Sequence, residues 1–467
     1  MGFHTPEFFI LLVISFVAFS VARGKRLWVL AIFDALFYLY AGVLDFSLLA
    51  AAAVVSYLAG LGMTTRWRKL SCALGVGLNL VNLAFFKYYY FVLGNISRVV
   101  AVPARFWALR IVLPIGISFY TFQLISYIID VYRDRIEPSR SFLEFWVYIS
   151  FFAQVIAGPI MRADVFLPQV KKTESYRFDL DRMKAGLLLL LIGLAKKVVI
   201  ADTLAPFVDT FFSRGAGMSS VDVWIAAYLF GFQIYYDFSA YSDMALGVGK
   251  LFGYELTRNF DTPYVSQNPQ EFWRRWHITL STWVRDYLYI PMGGSKKGYV
   301  RGLLAVIASM CISGLWHGAS WTFLLWGLYH GLLSVAHRVW KTLTAGKIRS
   351  SRLVRALNVL AYLQLTMIGW VLFRVTDTKV LGLVLYKMIS LSDLSAGPHF
   401  SVYLAVIAAL YALHWIEHLA LENRKKLLRW WQERIPAPVK GLVYAVAILG
   451  ILVFTRPKAN AFIYFQF

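Results

Sequence analysis

The chain contains 467 residues, of which 59% are hydrophobic and 15% charged, and its formal net charge is +22. Average soluble domains are nearer a quarter charged, and a soluble chain of this size needs far more polar surface. A basic excess in a soluble chain suggests nucleic-acid binding. Here the basic clusters separate long apolar runs, so the composition excludes that class and indicates an integral membrane protein.

Several uncharged or nearly uncharged stretches approach or exceed the roughly 20 residues that cross a bilayer. In chain order they are 8–22, 27–44, 46–65, 70–86, 302–337, 356–373 and 442–455. The shorter run 185–195 is followed by two lysines that can snorkel. We predict an all-α polytopic membrane protein with roughly ten to twelve membrane helices plus interfacial helices. Residues 1–467 are expected to form one membrane domain, with a catalytic core at about 111–335.

Short basic clusters follow several of these runs, the first being Arg23-Gly24-Lys25-Arg26. Such clusters favour the cytoplasmic side, and they also favour contact with the anionic headgroups of the lipid bilayer. Because this cluster directly follows the first span, the N-terminus is predicted to face away from the cytoplasm. The first span has Glu7 rather than a basic segment before it, so we interpret it as retained rather than as a signal peptide.

Polar residues are unusually frequent in apolar surroundings between residues 111 and 335. Burying such groups in lipid is costly unless they face a partner or a cavity. Structural hydrogen bonding accounts for many single cases, but their concentration suggests a polar chamber. They are Gln123, Asp130, Gln154, Asp237, Ser239, Ser242, Asp243, His277, Arg285, Asp286, His317 and His330.

A helix is predicted to start at Asn268-Pro269-Gln270-Glu271, which combines an N-cap, a proline at N1 and a capping box. It is expected to continue to Pro291 as one amphipathic element at the membrane interface. At helical spacing Trp273, Trp276, Leu280, Trp283 and Tyr287 share one face, and Arg274, His277, Ser281 and Arg285 share another. The spacing fits an ordinary interfacial helix and a basic face for an anionic ligand equally well.

Residues 302–337 contain no formal charge if histidine is neutral, and one helix of this length would span about 54 Å. Because that exceeds a membrane core of about 30 Å, a break is predicted near Gly314 to Gly318. His317 lies beside this break. A buried neutral imidazole can accept and return a hydroxyl proton, but the position also fits a structural histidine bonded between helices.

Metal and nucleophile chemistry have little support. No second His or Cys stands at ligand spacing from His317, and Cys311 reads as a packed thiol. His414, Glu417 and His418 spell H-x-x-E-H, a weak match to a zinc motif that we interpret as an ordinary helix end.

Six segments resemble the membrane-bound O-acyltransferase family, and within it the branch that acetylates alginate. They are PIGISFYTFQ (114–123), FAQVIAGPI (152–160), YYDFSAYSDMALG (235–247), EFWRRWHITLSTWVRDYLYIPMGG (271–294), SGLWHGASWTFLLWG (313–327) and PKANAFIYFQF (457–467).

The resemblance implies a multi-pass protein of the bacterial inner membrane whose helices surround a central funnel or channel. It implies acetyl-CoA as acyl-thioester donor rather than a bound cofactor. It also implies acetyl transfer toward an exported polysaccharide such as alginate or cellulose. The expected partners are a periplasmic SGNH-type acetyltransferase and a polysaccharide synthase complex.

The same resemblance matches His317 to the family's near-invariant histidine, as general base, and His277 to its second histidine or polar partner. His277, Arg274 and Arg285 are then candidates for contact with the donor's negative end, and an oxyanion role for His277 is equally open. Trp316 and Trp321 are expected to shape the pocket. Asp237 and Asp243 are expected to orient a histidine or to bind an acceptor hydroxyl.

Other functional hypotheses fit the same sequence. D-alanyl transfer to teichoic acid and peptidoglycan O-acetylation would use the same fold with other ligands. A transporter with a polar chamber, or an inactive scaffold, would carry out no chemistry.

Overall fold

Every regular element in the described part of the chain is helical. The computed structural model describes residues 2–155, 158–344, 351–456 and 462–463. Its α-helices, in chain order, are α1 Pro6–Val21, α2 Arg26–Ala41, α3 Val43–Gly62, α4 Arg68–Ile96, α5 Ala104–Trp107, α6 Ile117–Tyr132, α7 Phe142–Ser150, α8 Phe152–Val155, α9 Ala163–Val170, α10 Leu180–Leu194, α11 Asp202–Ser213, α12 Ser220–Leu251, α13 Pro269–Arg275, α14 Ile278–Val284, α15 Tyr299–His317, α16 Trp321–Leu343, α17 Arg352–Arg374, α18 Thr378–Ser390, α19 Phe400–Glu422, α20 Arg424–Arg434 and α21 Ala437–Phe454.

Six of the described helices are long and apolar enough to cross a membrane: α3, α4, α15, α17, α19 and α21. Helix α1 is apolar too, but shorter. These helices confirm the predicted all-α polytopic architecture. The predicted number of ten to twelve membrane helices and the predicted central funnel stay predictions. Helix α19 is absent from the predicted spans because Glu417 and two histidines interrupt its apolar sequence.

The chain divides into two compact units. Unit 1 comprises Met1–Gly193 and Tyr241–Arg258, and unit 2 comprises Leu194–Ala240 and Asn259–Phe467. The predicted core at 111–335 therefore contributes to both units, and its role stays a prediction. His277, His317 and His330 all belong to unit 2, so the candidate site is described within that unit.

Two of the embedded polar residues of unit 1 have local structural partners. The Gln123 side-chain amide donates to the Met161 carbonyl oxygen at 3.4 Å. The Asp130 carboxylate accepts from the Arg135 guanidinium at 3.2 Å. For these residues the structural interpretation of a buried polar group applies.

Helices α15 and α16 form a hairpin whose turn lies at Gly318 to Ser320, as the length of the uncharged run predicts. Glycine lets the two backbones touch. A Cβ atom at Gly314 would collide with the Phe323 carbonyl oxygen, and one at Gly327 with the Met310 carbonyl oxygen. Both helices also extend beyond residues 302–337 into charged sequence, which supplies the length that two helices need.

The helix start at Asn268 is confirmed, because the Asn268 Oδ1 atom accepts the Glu271 N–H at 2.9 Å. The prediction of one continuous helix to Pro291 is wrong. The element breaks between α13 and α14 at Trp276 and His277, and a π-helical turn, Arg285–Tyr289, follows α14. His277 adopts a left-handed backbone conformation there, with φ 42° and ψ 58°.

Candidate active site

His317 is the last residue of α15 and is buried, with 4% of its surface exposed. Three aromatic rings surround its imidazole. The Trp316 and Trp326 ring centroids each lie 5.0 Å away, and the Phe373 centroid lies 5.4 Å away. The helix end and the turn after it thus place an imidazole in an aromatic pocket.

His277 is also buried, at 1% exposure, in the break between α13 and α14. Asn259 fixes this break: its carbonyl accepts the Ile278 N–H at 2.9 Å, and its Oδ1 accepts the Thr279 hydroxyl at 2.6 Å. Left-handed backbone at a residue other than glycine is uncommon and costs about 1–2 kcal/mol. Strain of this kind tends to gather at functional sites.

Trp316 connects the two histidines. Its ring centroid lies 6.3 Å from that of His277 and 5.0 Å from that of His317. The opposite side of His277 packs edge-on against Phe238 of α12, at 4.7 Å. The structure therefore brings His277, Trp316 and His317 into one aromatic cluster, although His277 and His317 are 40 residues apart in the sequence.

A cavity of about 800 Å³ lies beside this cluster. Ligand pockets of drug-sized molecules have volumes of about 300–1,000 Å³. Among the described residues that line the cavity, none is acidic, and four carry a fixed positive charge. These are Arg274, Arg285, Arg338 and Lys341.

The cavity follows one face of α15. Ser309 and Ser313 line it, and His317 is the next residue at the same helical spacing of four. One turn of helix is about 5.4 Å long. The polar face of α15 therefore runs from a basic cavity to the buried imidazole.

The predicted basic face of residues 268–291 does not exist as such. Arg274 and Arg285 are exposed and line the cavity, together with Ser281. His277 is buried in the aromatic cluster instead. The break at His277 changes the helical phase between Arg274 and the later residues, so a face drawn on one continuous helix cannot be maintained.

Asp237 lies in a buried ion-pair cluster. Its Oδ1 atom is 2.8 Å from the Lys197 Nζ atom, which is also 2.9 Å from Asp202. Its Oδ2 atom accepts the Ile463 N–H at 2.8 Å. Asp237 thus fixes a lysine and a C-terminal segment, and its predicted role toward a histidine stays a prediction.

Asp243 and Trp321 complete the predicted site residues. Asp243 belongs to unit 1 and is half-buried. Trp321 starts α16 and is 45% exposed, whereas Trp316 is 3% exposed. The predicted roles of both residues remain predictions.

The H-x-x-E-H residues lie near the end of α19, as expected for an ordinary helix end. The His414 Nε2 atom accepts the Tyr264 N–H at 3.2 Å. Glu417 accepts from the Lys196 ammonium and, at 2.9 Å, from the Tyr235 hydroxyl. These contacts give the motif a structural role within unit 2.

Three residues of the site escaped the sequence-based prediction: Trp326, Arg338 and Lys341. Arg338 and Lys341 follow the uncharged run at helical spacing, a pattern that indicates no more than a basic helix end. Trp326 lies in an apolar sequence, where only its packing against His317 identifies it. His330, one of the embedded polar residues that the sequence singles out, packs against Trp326.

Comparison with known proteins identifies the family of the chain. The model of the membrane-bound O-acyltransferase family matches residues 133–376, which contain both histidines and the cavity. The protein named "Probable alginate O-acetylase AlgI" of Azotobacter vinelandii is 37% identical over 84% of this chain and 79% of its own length.

Two further relatives extend the comparison. The protein of the same name in Pseudomonas putida is 32% identical over 100% of both chains. A "Peptidoglycan O-acetyltransferase" of Helicobacter pylori is 34% identical over 84% of this chain and 80% of its own length. Over this coverage and identity, and with the apolar helices described above, the chain belongs to the membrane-bound O-acyltransferase family and is a multi-pass membrane O-acyltransferase.

Proposed function

We propose that the chain transfers an acetyl group from cytoplasmic acetyl-CoA toward a hydroxyl group of an exported polysaccharide such as alginate or cellulose, with His317 as general base. The observation that carries this proposal is the face of α15 that leads from Ser309 and Ser313 in the basic cavity to His317. It joins a binding surface for an anionic donor to a buried imidazole.

The charge of the cavity fits a donor that carries phosphate groups. Arginine and lysine bind phosphate oxygens by charge-assisted hydrogen bonds. Arg338 and Lys341 lie near the end of α16, and Lys341 is the first residue of a basic stretch. Because basic stretches between membrane helices favour the cytoplasm, this end of the cavity suits a cytoplasmic donor.

The reaction needs only a base and a place for the developing negative charge, because a thioester is already activated. A hydroxyl oxygen attacks the thioester carbonyl carbon while His317 takes the hydroxyl proton, and the carbonyl π electrons move to the oxygen. Collapse of this intermediate restores the carbonyl and breaks the C–S bond. The proton then passes from His317 to the leaving thiolate, which completes the balance.

His277 has two possible roles within this scheme: contact with the donor or stabilisation of the reacting group. Its burial beside Trp316 favours the second role over a contact with the donor's phosphates. The exposed Arg274 and Arg285 suit the phosphates better.

The acceptor class has a second candidate. The Helicobacter pylori relative is a peptidoglycan O-acetyltransferase by name, and its identity to this chain is close to that of the alginate relatives. Acetylation of a peptidoglycan sugar is therefore the alternative. In either case we propose an inner-membrane location, a periplasmic SGNH-type acetyltransferase as partner, and association with a polysaccharide synthase complex.

The test is thiol release from acetyl-CoA by the purified protein in lipid nanodiscs, with alginate, cellulose or peptidoglycan fragments as acceptor and the SGNH-type partner added. His317→Ala should lower the rate at least about 100-fold, the typical contribution of general base catalysis. The control is His399→Ala, because His399 is exposed at the start of α19. Normal acetyl transfer by His317→Ala would refute the role of His317.

A carrier-bound D-alanyl thioester serves as the competing donor in the same assay. Its use in preference to acetyl-CoA would replace the proposed donor. Absence of thioester cleavage with every donor would instead support a transporter or a scaffold.

A further inference from the structure

A group of buried polar atoms beside His317 has no hydrogen-bond partner within the described part of the chain. The atoms are the Trp273 Nε1, the Trp326 Nε1 and the His330 Nδ1 atoms. Trp326 and His330 are each 1% exposed. Buried tryptophan and histidine nitrogens normally have a partner, because leaving a desolvated donor or acceptor unsatisfied is unfavourable. Three of them together indicate a ligand.

Trp326 is the centre of this group. Its ring centroid lies 5.0 Å from that of His330, 5.8 Å from that of Trp273 and 5.0 Å from that of His317. Trp273 and His330 also touch, at 5.2 Å. The three residues therefore form one continuous patch against the proposed base.

The surrounding helices hold these rings in place. Trp326 and His330 are four residues apart on α16 and share a face. Phe272 of α13 stacks on His330 with an interplanar angle of 3°. On α17, a Cβ atom at Gly369 would lie 2.6 Å from the His330 Nε2 atom, so the α17 backbone closes the patch.

The patch also borders the donor cavity. Trp273 lines the cavity, and so does Ser334, whose hydroxyl donates to the His330 carbonyl oxygen at 2.8 Å. Trp273 thus belongs to both surfaces. A thioester whose anionic end occupies the cavity passes Trp273 before it reaches His317.

We propose that Trp273, Trp326 and His330 form the hydrogen-bonding site for the carbonyl oxygen of the acyl thioester. This inference rests on the proposed acyl transfer. An indole N–H only donates, so its partner must be an acceptor and cannot be a cation. Neutral His330 can supply a third N–H group.

The carbonyl oxygen suits these donors better than the acceptor hydroxyl does. Donation to the hydroxyl oxygen would withdraw electron density from the nucleophile. The carbonyl oxygen becomes negative as the new C–O bond forms, and preorganised donors stabilise that charge in a site from which water is excluded. The contact strengthens in the transition state, so it should increase kcat more than it lowers KM.

The first experiment compares Trp326→Phe and Trp273→Phe with the wild-type protein in acetyl-CoA turnover. Each change keeps an aromatic ring and removes one N–H. We expect kcat to fall at least about tenfold, toward the 100-fold or more reported for single oxyanion donors, with little change in the KM for acetyl-CoA. Trp224→Phe is the control, because the Trp224 N–H donates to the Met388 carbonyl oxygen, in a different apolar pocket of unit 2.

His330 is tested by two variants. His330→Asn can present an N–H near the position of Nδ1, whereas His330→Leu cannot. We expect His330→Asn to keep a substantially higher kcat than His330→Leu at equal thermal stability. Equal losses in both variants would remove His330 from the site.

A binding measurement keeps the proposal testable if a variant turns over slowly for other reasons. The probe is acetyl-CoA labelled with ¹³C at the carbonyl, bound to His317→Ala protein, and the readout is the infrared carbonyl stretch. Hydrogen bonds should shift the stretch to lower frequency, and adding Trp326→Phe should return it toward the value of free acetyl-CoA.

The outcomes separate the two proposals. If the wild-type protein is active and the Trp273→Phe and Trp326→Phe variants have the same kcat, this inference is wrong. The proposed acetyl transfer would still stand. An unshifted carbonyl stretch in the bound state overturns it as well. A wild type that cleaves no thioester overturns the proposed function, and the carbonyl site with it.

Discussion

Lys197 and Asp237 form a buried ion pair, with 2.8 Å between the Nζ and Oδ1 atoms. Removing one partner of a buried pair leaves an uncompensated charge, which typically costs about 3–5 kcal/mol. Lys197→Met should therefore lower the thermal stability of the protein strongly, because it removes the cation that Asp202 and Asp237 share.

The matched variant is Asp237→Ala, which leaves the Lys197 ammonium paired with Asp202 at 2.9 Å. We expect Asp237→Ala to unfold at a higher temperature than Lys197→Met, measured by thermal scanning in detergent. If Asp237→Ala has normal stability and reduced turnover, Asp237 acts in the reaction and its position beside Lys197 is secondary.

The basic cavity predicts a specific defect in donor binding. Arg274→Ala and Lys341→Ala should each raise the KM for acetyl-CoA about tenfold, because a contact to a charged group contributes about 1.5–3 kcal/mol. The KM for acetyl-pantetheine, which lacks the nucleotide phosphates, should not change. Steady-state kinetics with both donors measures the difference.

Arg429→Ala is the control for lost positive charge, because Arg429 is exposed on α20, outside the residues that line the cavity. An equal rise in KM for both donors would mean that the cavity does not hold the nucleotide.

His277 predicts a pH dependence of stability. It lies outside the six candidate spans, and burial lowers its pKa from 6.5 to about 3. Between these values the unfolded chain binds a proton that the folded chain does not. The free energy of unfolding should therefore fall as the pH drops from about 6.5, with a contribution of about 1.4 kcal/mol per pH unit.

His277→Asn should make this slope shallower, since asparagine tolerates the left-handed backbone and does not titrate there. The measurement is denaturant unfolding at pH 7, 6 and 5 for both proteins. An unchanged slope would mean that His277 is already protonated in the folded state or accessible to water.

The α15–α16 hairpin predicts that small residues at its contact cannot be enlarged. Gly314→Ala should lower stability by at least about 1–3 kcal/mol, because its methyl group would meet the Phe323 carbonyl oxygen. Gly450→Ala in α21 has no atom within 4 Å of the added Cβ and should leave the melting temperature unchanged or raise it. Equal stability of Gly314→Ala and the wild type would show that the helices separate easily.

The orientation of the chain is tested by labelling in a background with Cys72→Ser and Cys311→Ser. Glu7→Cys should react with a membrane-impermeant maleimide from the periplasmic side, and Lys25→Cys should react only after permeabilisation. Both positions are exposed; Glu7 lies in the first turn of α1 and Lys25 follows its end. The reverse result would place the N-terminus in the cytoplasm.

The helices themselves were largely predictable, because length and hydropathy determine where a chain can cross lipid. Helix α19 was missed since its polar side chains find partners inside unit 2, and a sequence does not show such pairing. The break at His277 was missed for a related reason. The residues 268–291 carry every signal of one helix, and the break depends on Asn259, which lies some twenty residues earlier.

The site was predictable in part. Family resemblance identified His277 and His317, and the structure brings both against Trp316. Helical periodicity grouped Arg274 with His277, yet the local break separates them. Trp326 carried no signal, because an indole in an apolar run indicates ordinary packing until its N–H is found without a partner. His330 was singled out only as an embedded polar residue, and its place beside Trp326 needed the structure.

The contact between α15 and α16 has a mechanical consequence. At Gly314 and Gly327 the backbones of the two helices are in direct contact. No side chain lies between them there that could rotate away and let one helix slide along the other. His317 and Trp326, one on each helix, therefore behave as parts of a single rigid frame. The left-handed backbone at His277, which joins α13 to α14, lies outside this frame.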